Sequence, residues 1–119
     1  MSRYIEDEFM YETVIENCVA AGLTPSQLRE STLRADLAVT APPCDGVVLG
    51  ALLARAWSCD FSGVLFAYIE TEGSLVKVPF WHGSDEYNEC IAIRPGFRVE
   101  ASMKLSRNGR PYCTGIRMA

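Results

Sequence analysis

The run Val64–His82, "VLFAYIETEGSLVKVPFWH", constrains the fold more than any other part of the chain. Each half alternates with the two-residue period of a β-strand, whose successive side chains point to opposite faces. Val64, Phe66 and Tyr68 fall on one face of the first half, and Leu65, Ala67 and Ile69 on the other. "TEGS" reads as the turn between the halves, and beyond it Val76, Val78, Phe80 and His82 share a face. The two aromatic pairs, Phe66 with Tyr68 and Phe80 with His82, are therefore expected to lie on one surface of a hairpin. Whether that surface is core or faces a ligand decides what the chain does.

The flanking sequence extends the same architecture. "TAPPCDG", residues 40–46, reads as a linker, because two prolines cannot continue a helix and Asp45-Gly46 is a turn signal. Val47–Trp57 reads as a first strand, and Gly83–Gly96 as a long connection. In "FRVEASMKL", Phe97, Val99, Ala101, Met103 and Leu105 alternate with polar residues, as in a half-buried strand. Asn108-Gly109 predicts a tight hairpin, and "PYCTGIRM" a closing strand. Five strands over residues 46–118 match a small closed antiparallel barrel of the OB type. The front of the chain reads differently. Met10, Val14, Cys18 and Ala21 follow helical spacing, and Gly22 is a stop signal. "TPSQ", residues 24–27, supplies a capped start for a second, shorter helix. The expected organisation is a helical extension over residues 1–42 and a barrel over 43–119. A helix-turn-helix reading of the front is disfavoured by its acidic surroundings and by a second helix offering only Arg29 and Arg34.

Charge and composition narrow the partners. Residues 1–50 carry three basic and eight acidic side chains, whereas residues 51–119 carry eight and seven. A net charge of -4 disfavours tight binding to duplex nucleic acid, which depends on many phosphate contacts. Stacking on single strands remains compatible with it. The longest nearly apolar run, Val47–Trp57, is interrupted by Arg55 and too short for a membrane span, and the acidic start shows no secretory pattern. Five scattered cysteines without a C-x-x-C pair, beside a single histidine, point to reduced thiols in a cytoplasmic protein without a zinc site or other cofactor.

The residues from about Gly46 to Met118 resemble a cold-shock domain. "LFAYI" stands where that family has a strand with alternating aromatics ending in Ile, and "FWHGS" where it has F-x-H-x-S. "IRPGFRVEASMKL" and "GRPYCTGI" are similar to its last two strand motifs. The chain departs from the family at Leu65 and Ala67, which replace glycines, in "RAW" where the family has K-W-F, and at Ala101 where an aromatic is usual. The resemblance leaves the front end unaccounted for. It implies an OB barrel that binds single-stranded RNA or DNA by stacking bases on Phe66, Tyr68, Phe80 and His82. Trp57 is a further candidate ring, Trp81 is open in the same way between platform and core, and Lys77, Arg55 and the C-terminal set of Arg94, Arg98, Lys104, Arg107, Arg110 and Arg117 are candidate phosphate contacts.

Two other classes compete with this expectation. Catalysis by His82 with Cys90 or Asp85 has no supporting motif, and no phosphate-cradling glycine loop is present, so the chain is not expected to be an enzyme. The alternative is an OB-like protein-interaction or regulatory module. In it, the acidic helical front around Glu6, Asp7, Glu8, Glu12 and Glu16 docks on a protein partner without direct nucleic-acid binding.

Overall fold

The computed structural model describes residues 10–11, 38–58, 62–72 and 74–119. It is mainly β: β1 (Met10–Tyr11), β2 (Ala38–Thr40), β3 (Gly46–Trp57), β4 (Val64–Thr71), β5 (Ser74–Trp81), α1 (Asp85–Ile91), β6 (Arg98–Leu105) and β7 (Pro111–Met118). Six strands lie in the order β2-β5-β4-β3-β6-β7, and β1 pairs with β3 off that path. The five strands expected over residues 46–118 are present and pair antiparallel, while β1 and β2 join in parallel, so the sheet is mixed. Met10 and Tyr11, expected in a helix, pair instead with Ala56 and Trp57. The rest of the two expected front helices lies outside the described residues. No described helix is long and apolar enough to cross a membrane.

β3 organises the sheet because it is long enough to serve both halves. Its residues Gly46–Ala51 pair with β6 and Ala51–Trp57 with β4, with an irregularity between Leu52 and Ala54. Gly50 sits where the strand passes from one partner to the other. A Cβ there would lie 2.2 Å from the Glu70 carbonyl oxygen, which is backbone and cannot swing aside. Gly50→Ala is therefore expected to lower stability by about 1–3 kcal/mol, the usual cost of forcing atoms into a packed site. Urea unfolding checks this, and a wild-type midpoint would contradict the close approach.

The expected closed barrel is not formed: among the described residues no hydrogen-bonded ladder joins β5 to β7. The connection read as a long loop contains α1, which packs against both of these strands. Ser84 caps it by accepting the Tyr87 N–H at 3.1 Å, and Asp85 and Glu86 fill the acidic first turn. From α1, Glu89 accepts the Ile116 N–H of β7 at 3.1 Å, so this donor is satisfied by a carboxylate. The inner face, which α1 covers, carries the main core: Val48, Leu52, Ile69, Val78, Phe80, Cys90, Val99, Ala101, Met103 and Ile116 among others.

The register of the β4–β5 hairpin corrects the expected aromatic surface. Thr71 pairs with Ser74, leaving two residues between the strands, so Phe66 stands opposite Pro79 and Tyr68 opposite Lys77. Residues opposite one another share a face. Phe66 and Tyr68 therefore lie with Lys77, Pro79 and Trp81, while Phe80 and His82 lie on the other side of the sheet. A one-residue difference in register exchanges every side chain between faces. The β6–β7 connection is the expected tight hairpin at Asn108-Gly109. Ser106 donates its N–H to the Arg110 carbonyl, Gly109 donates to that of Ser106, and Gly109 has φ +79°. This is a three-residue loop, a turn followed by a left-handed glycine.

Candidate nucleic-acid interface

The outer face of the β4–β5 hairpin changes character along its length. Tyr68 is 0% exposed and belongs to a second buried cluster with Leu53, Ala54, Ala56 and Leu75. Towards the Val64–Trp81 end the face opens: Phe66 is half-buried and Trp81 is 51% exposed. The Lys77 ammonium lies 4.2 Å from the centroid of the Phe66 ring, a cation–π arrangement. Pro79, which has no N–H to donate, sits where β2 no longer pairs with β5.

Val64, Phe66, Lys77, Pro79 and Trp81 form the floor of a groove of about 670 Å³. Val39–Pro42, at and after β2, make one wall; Ser58 and Ser62 flank the β3–β4 connection; and Arg110 and Pro111 come from the β6–β7 turn. A second hollow of about 400 Å³ shares Trp81, Arg110 and Pro111 and adds Arg107, Asn108 and Tyr112. Among the described residues lining the two hollows, the charged ones are Lys77, Arg107 and Arg110. All are basic, in a chain of net charge -4. Residues 38–42 thus contribute to the sheet and the groove from upstream of the expected barrel.

Phe80, Arg55, Trp57 and His82, also expected at the site, lie on the inner side. Phe80 is 1% exposed within the core, and Arg55 is 2% exposed. The Arg55 guanidinium donates to the Cys90 carbonyl oxygen at the end of α1, where a cation suits the negative end of the helix. Packing claims both side chains, so neither presents a face to a base or a phosphate. Trp57 and His82 do come together, but with Tyr87 of α1: ring centroids are 6.0 Å apart for Trp57–His82, 6.1 Å for Trp57–Tyr87 and 5.0 Å for His82–Tyr87. This cluster is separated by the sheet from Phe66, Lys77 and Trp81. Of Phe66, Tyr68, Phe80, His82, Trp57, Lys77 and Arg55, the groove gathers Phe66 and Lys77.

Cys44, Cys90 and Cys113 are free thiols; Cys18 and Cys59 lie outside the described residues. Burial pushes the Cys90 thiol up to about 12, against a smaller opposing effect of Arg55, and burial pushes Cys113 up to about 11. Cys90 is thus held as a neutral thiol inside the core, unsuited to attack with the exposed His82. The unfolded chain releases these protons from about pH 9, before the folded one does, so stability should fall as pH rises from about 9 towards 12. For Cys90 the loss by pH 10 is on the order of 1 kcal/mol relative to neutral pH. A flatter alkaline stability profile in Cys90→Ala than in wild type is the expected result, and equal slopes would contradict it.

The groove adds Tyr112, which the sequence does not single out, to Trp81, which the sequence leaves open between platform and core, and to Arg107 and Arg110 from the C-terminal basic set. The signal for Trp81 was present in "TEGS": with Glu72-Gly73 as a two-residue loop, Trp81 falls on the Phe66 face. Arg107 and Arg110 flank the Asn108-Gly109 turn, whose position relative to β4 and β5 depends on the sheet order. The chain matches no protein-family model and no curated protein sequence.

Proposed function

We propose that this chain is an OB-type module that binds single-stranded RNA or DNA along the outer face of β4 and β5. The observation that carries the reading is the groove's composition, with exposed Trp81 and half-buried Phe66 among Lys77, Arg107 and Arg110 in an otherwise acidic chain. Stacking on aromatic rings beside a basic track is how single strands are held without base specificity. The architecture supports it as well. β3 to β7 follow the order β5-β4-β3-β6-β7 with a helix between the third and fourth of them, and the groove lies on the second and third. The loops beside it are those after the first and fourth strands, and OB modules bind oligomers with that face and those loops. The reading retains the single-strand function that the cold-shock resemblance implies, with a different set of rings.

The test is a titration of fluorescently labelled oligothymidylate and oligouridylate of about 12 nucleotides, with a duplex of equal length as comparison. Single strands should bind more tightly than the duplex. Joint Arg107→Ala and Arg110→Ala replacement should weaken binding and flatten the log–log salt dependence by about 1.4, or about 0.7 for each phosphate no longer neutralised. Equal affinity for duplex, or no binding, would contradict the proposal. The second outcome would leave the protein-interaction module as the working account.

A further inference from the structure

We infer, resting on the single-strand reading above, that the ligand runs on from Trp81 into the hollow beside the β6–β7 turn. There Tyr112 stacks the next base, and Arg110 takes the phosphate between the two. The two hollows meet at Trp81, Arg110 and Pro111, which line both, so a strand seated on Trp81 has a continuous lining to follow. Tyr112 is turned to the outer side because its neighbour Cys113 is buried in the main core, and successive residues of a strand point to opposite faces. It stands opposite Lys104, which is exposed. Its side chain is half-buried and lines the hollow of about 400 Å³.

The turn holds the backbone of Arg110 in place. Ser106 donates its N–H to the Arg110 carbonyl at 2.8 Å and accepts the Arg110 N–H on its hydroxyl oxygen at 3.2 Å. Pro111, whose ring fixes φ, follows directly and begins β7. Arg110 itself is exposed, and among the described residues no carboxylate pairs with its guanidinium; the ion pair on β7 joins Arg117 to Glu100. A guanidinium presents forked donors that match phosphate oxygens, and an aromatic face accepts any base. Two rings with a shared cation are thus the complement of two bases joined by a phosphate. The ligand implied is a single strand offering two adjacent base faces, which a duplex keeps stacked and paired inside.

Salt dependence and abasic strands test the two roles. Tyr112→Leu removes the ring while keeping apolar bulk, and should weaken binding of oligothymidylate of about 12 nucleotides roughly 5- to 150-fold with the log–log salt slope unchanged. Tyr112→Phe, which restores the ring, should bind more tightly than Tyr112→Leu. Arg110→Gln should lower the slope by about 0.7, one phosphate contact. A strand of the same length with one base at its centre and abasic sites elsewhere should bind wild type and Tyr112→Leu alike, because Trp81 can take that base in both. Two adjacent bases should bind wild type more tightly than one and bring back the difference between the proteins. A Tyr112→Leu variant that folds by urea unfolding and binds oligothymidylate like wild type would overturn the inference and leave the single-strand reading standing. If Tyr112→Leu fails to fold, an unaltered slope in Arg110→Gln, or equal binding of the one-base and two-base strands to wild type, would overturn it. Absence of oligonucleotide binding by the wild-type chain would overturn the functional reading itself and the inference with it.

Discussion

Phe80→Ala is expected to cost about 3–5 kcal/mol of folding stability, because the ring is 1% exposed and its removal leaves a cavity in the main core. Its neighbours in that core come from strands on both sides of the sheet order and from α1, including Val78, Ala67, Cys90 and Met103. Against a total of about 5–15 kcal/mol for a small domain, the loss is a large fraction. His82→Ala, two residues on and exposed, should change stability by about 0.5 kcal/mol or less. Urea unfolding of the two variants gives the comparison. A Phe80→Ala protein that unfolds like wild type yet loses oligonucleotide binding would place the ring on the ligand side and contradict the register described above.

Trp81→Ala should do the opposite, leaving the fold largely intact and weakening single-strand binding by about 1–3 kcal/mol, the usual worth of one stacked base. Trp81 pairs with Val64 at the open end of the hairpin, and half of its surface is already in solvent, so little packing is lost with it. Trp57→Ala is the matched control. Trp57 lies on the inner side against His82 and Tyr87, so its loss should spare affinity. Anisotropy titrations on both variants, with thermal unfolding as the check on folding, read the contrast. Equal loss of affinity in the two would contradict the assignment of the groove to the outer face.

Much of the sheet was legible because strands announce themselves locally. Alternation in Val64–Ile69 and Phe97–Leu105 depends only on one buried face, and both segments are strands apart from Phe97, which precedes β6 and is exposed. Register is a relation between strands, and alternation within each strand leaves it open. The aromatic pairs were therefore readable as pairs, while their assignment to one face was not. The four-residue motif "FWHG" offers Phe80 and His82 to one side and Trp81 to the other, and only the pairing of Thr71 with Ser74 decides between them. Arg55 was misplaced for a related reason. A charged residue in a strand ordinarily reaches water, but this one finds a helix-end carbonyl, an arrangement created by tertiary packing. The helix α1 had a local signal in Ser84 followed by Asp85 and Glu86, and its brevity hid it among polar residues. The short strands β1 and β2 carry too few residues for any period to show, and their pairing with β3 and β5 spans a long stretch of chain.

The most direct test of the groove is to follow backbone amide and tryptophan indole signals by NMR as oligothymidylate is added to the wild-type protein. The account predicts perturbations concentrated on Trp81, Lys77, Phe66, Arg107 and Arg110, with the Trp57 indole and the amides of His82 and Tyr87 changing far less. Perturbations centred on Trp57, His82 and Tyr87, or none anywhere at saturating oligonucleotide, would contradict it.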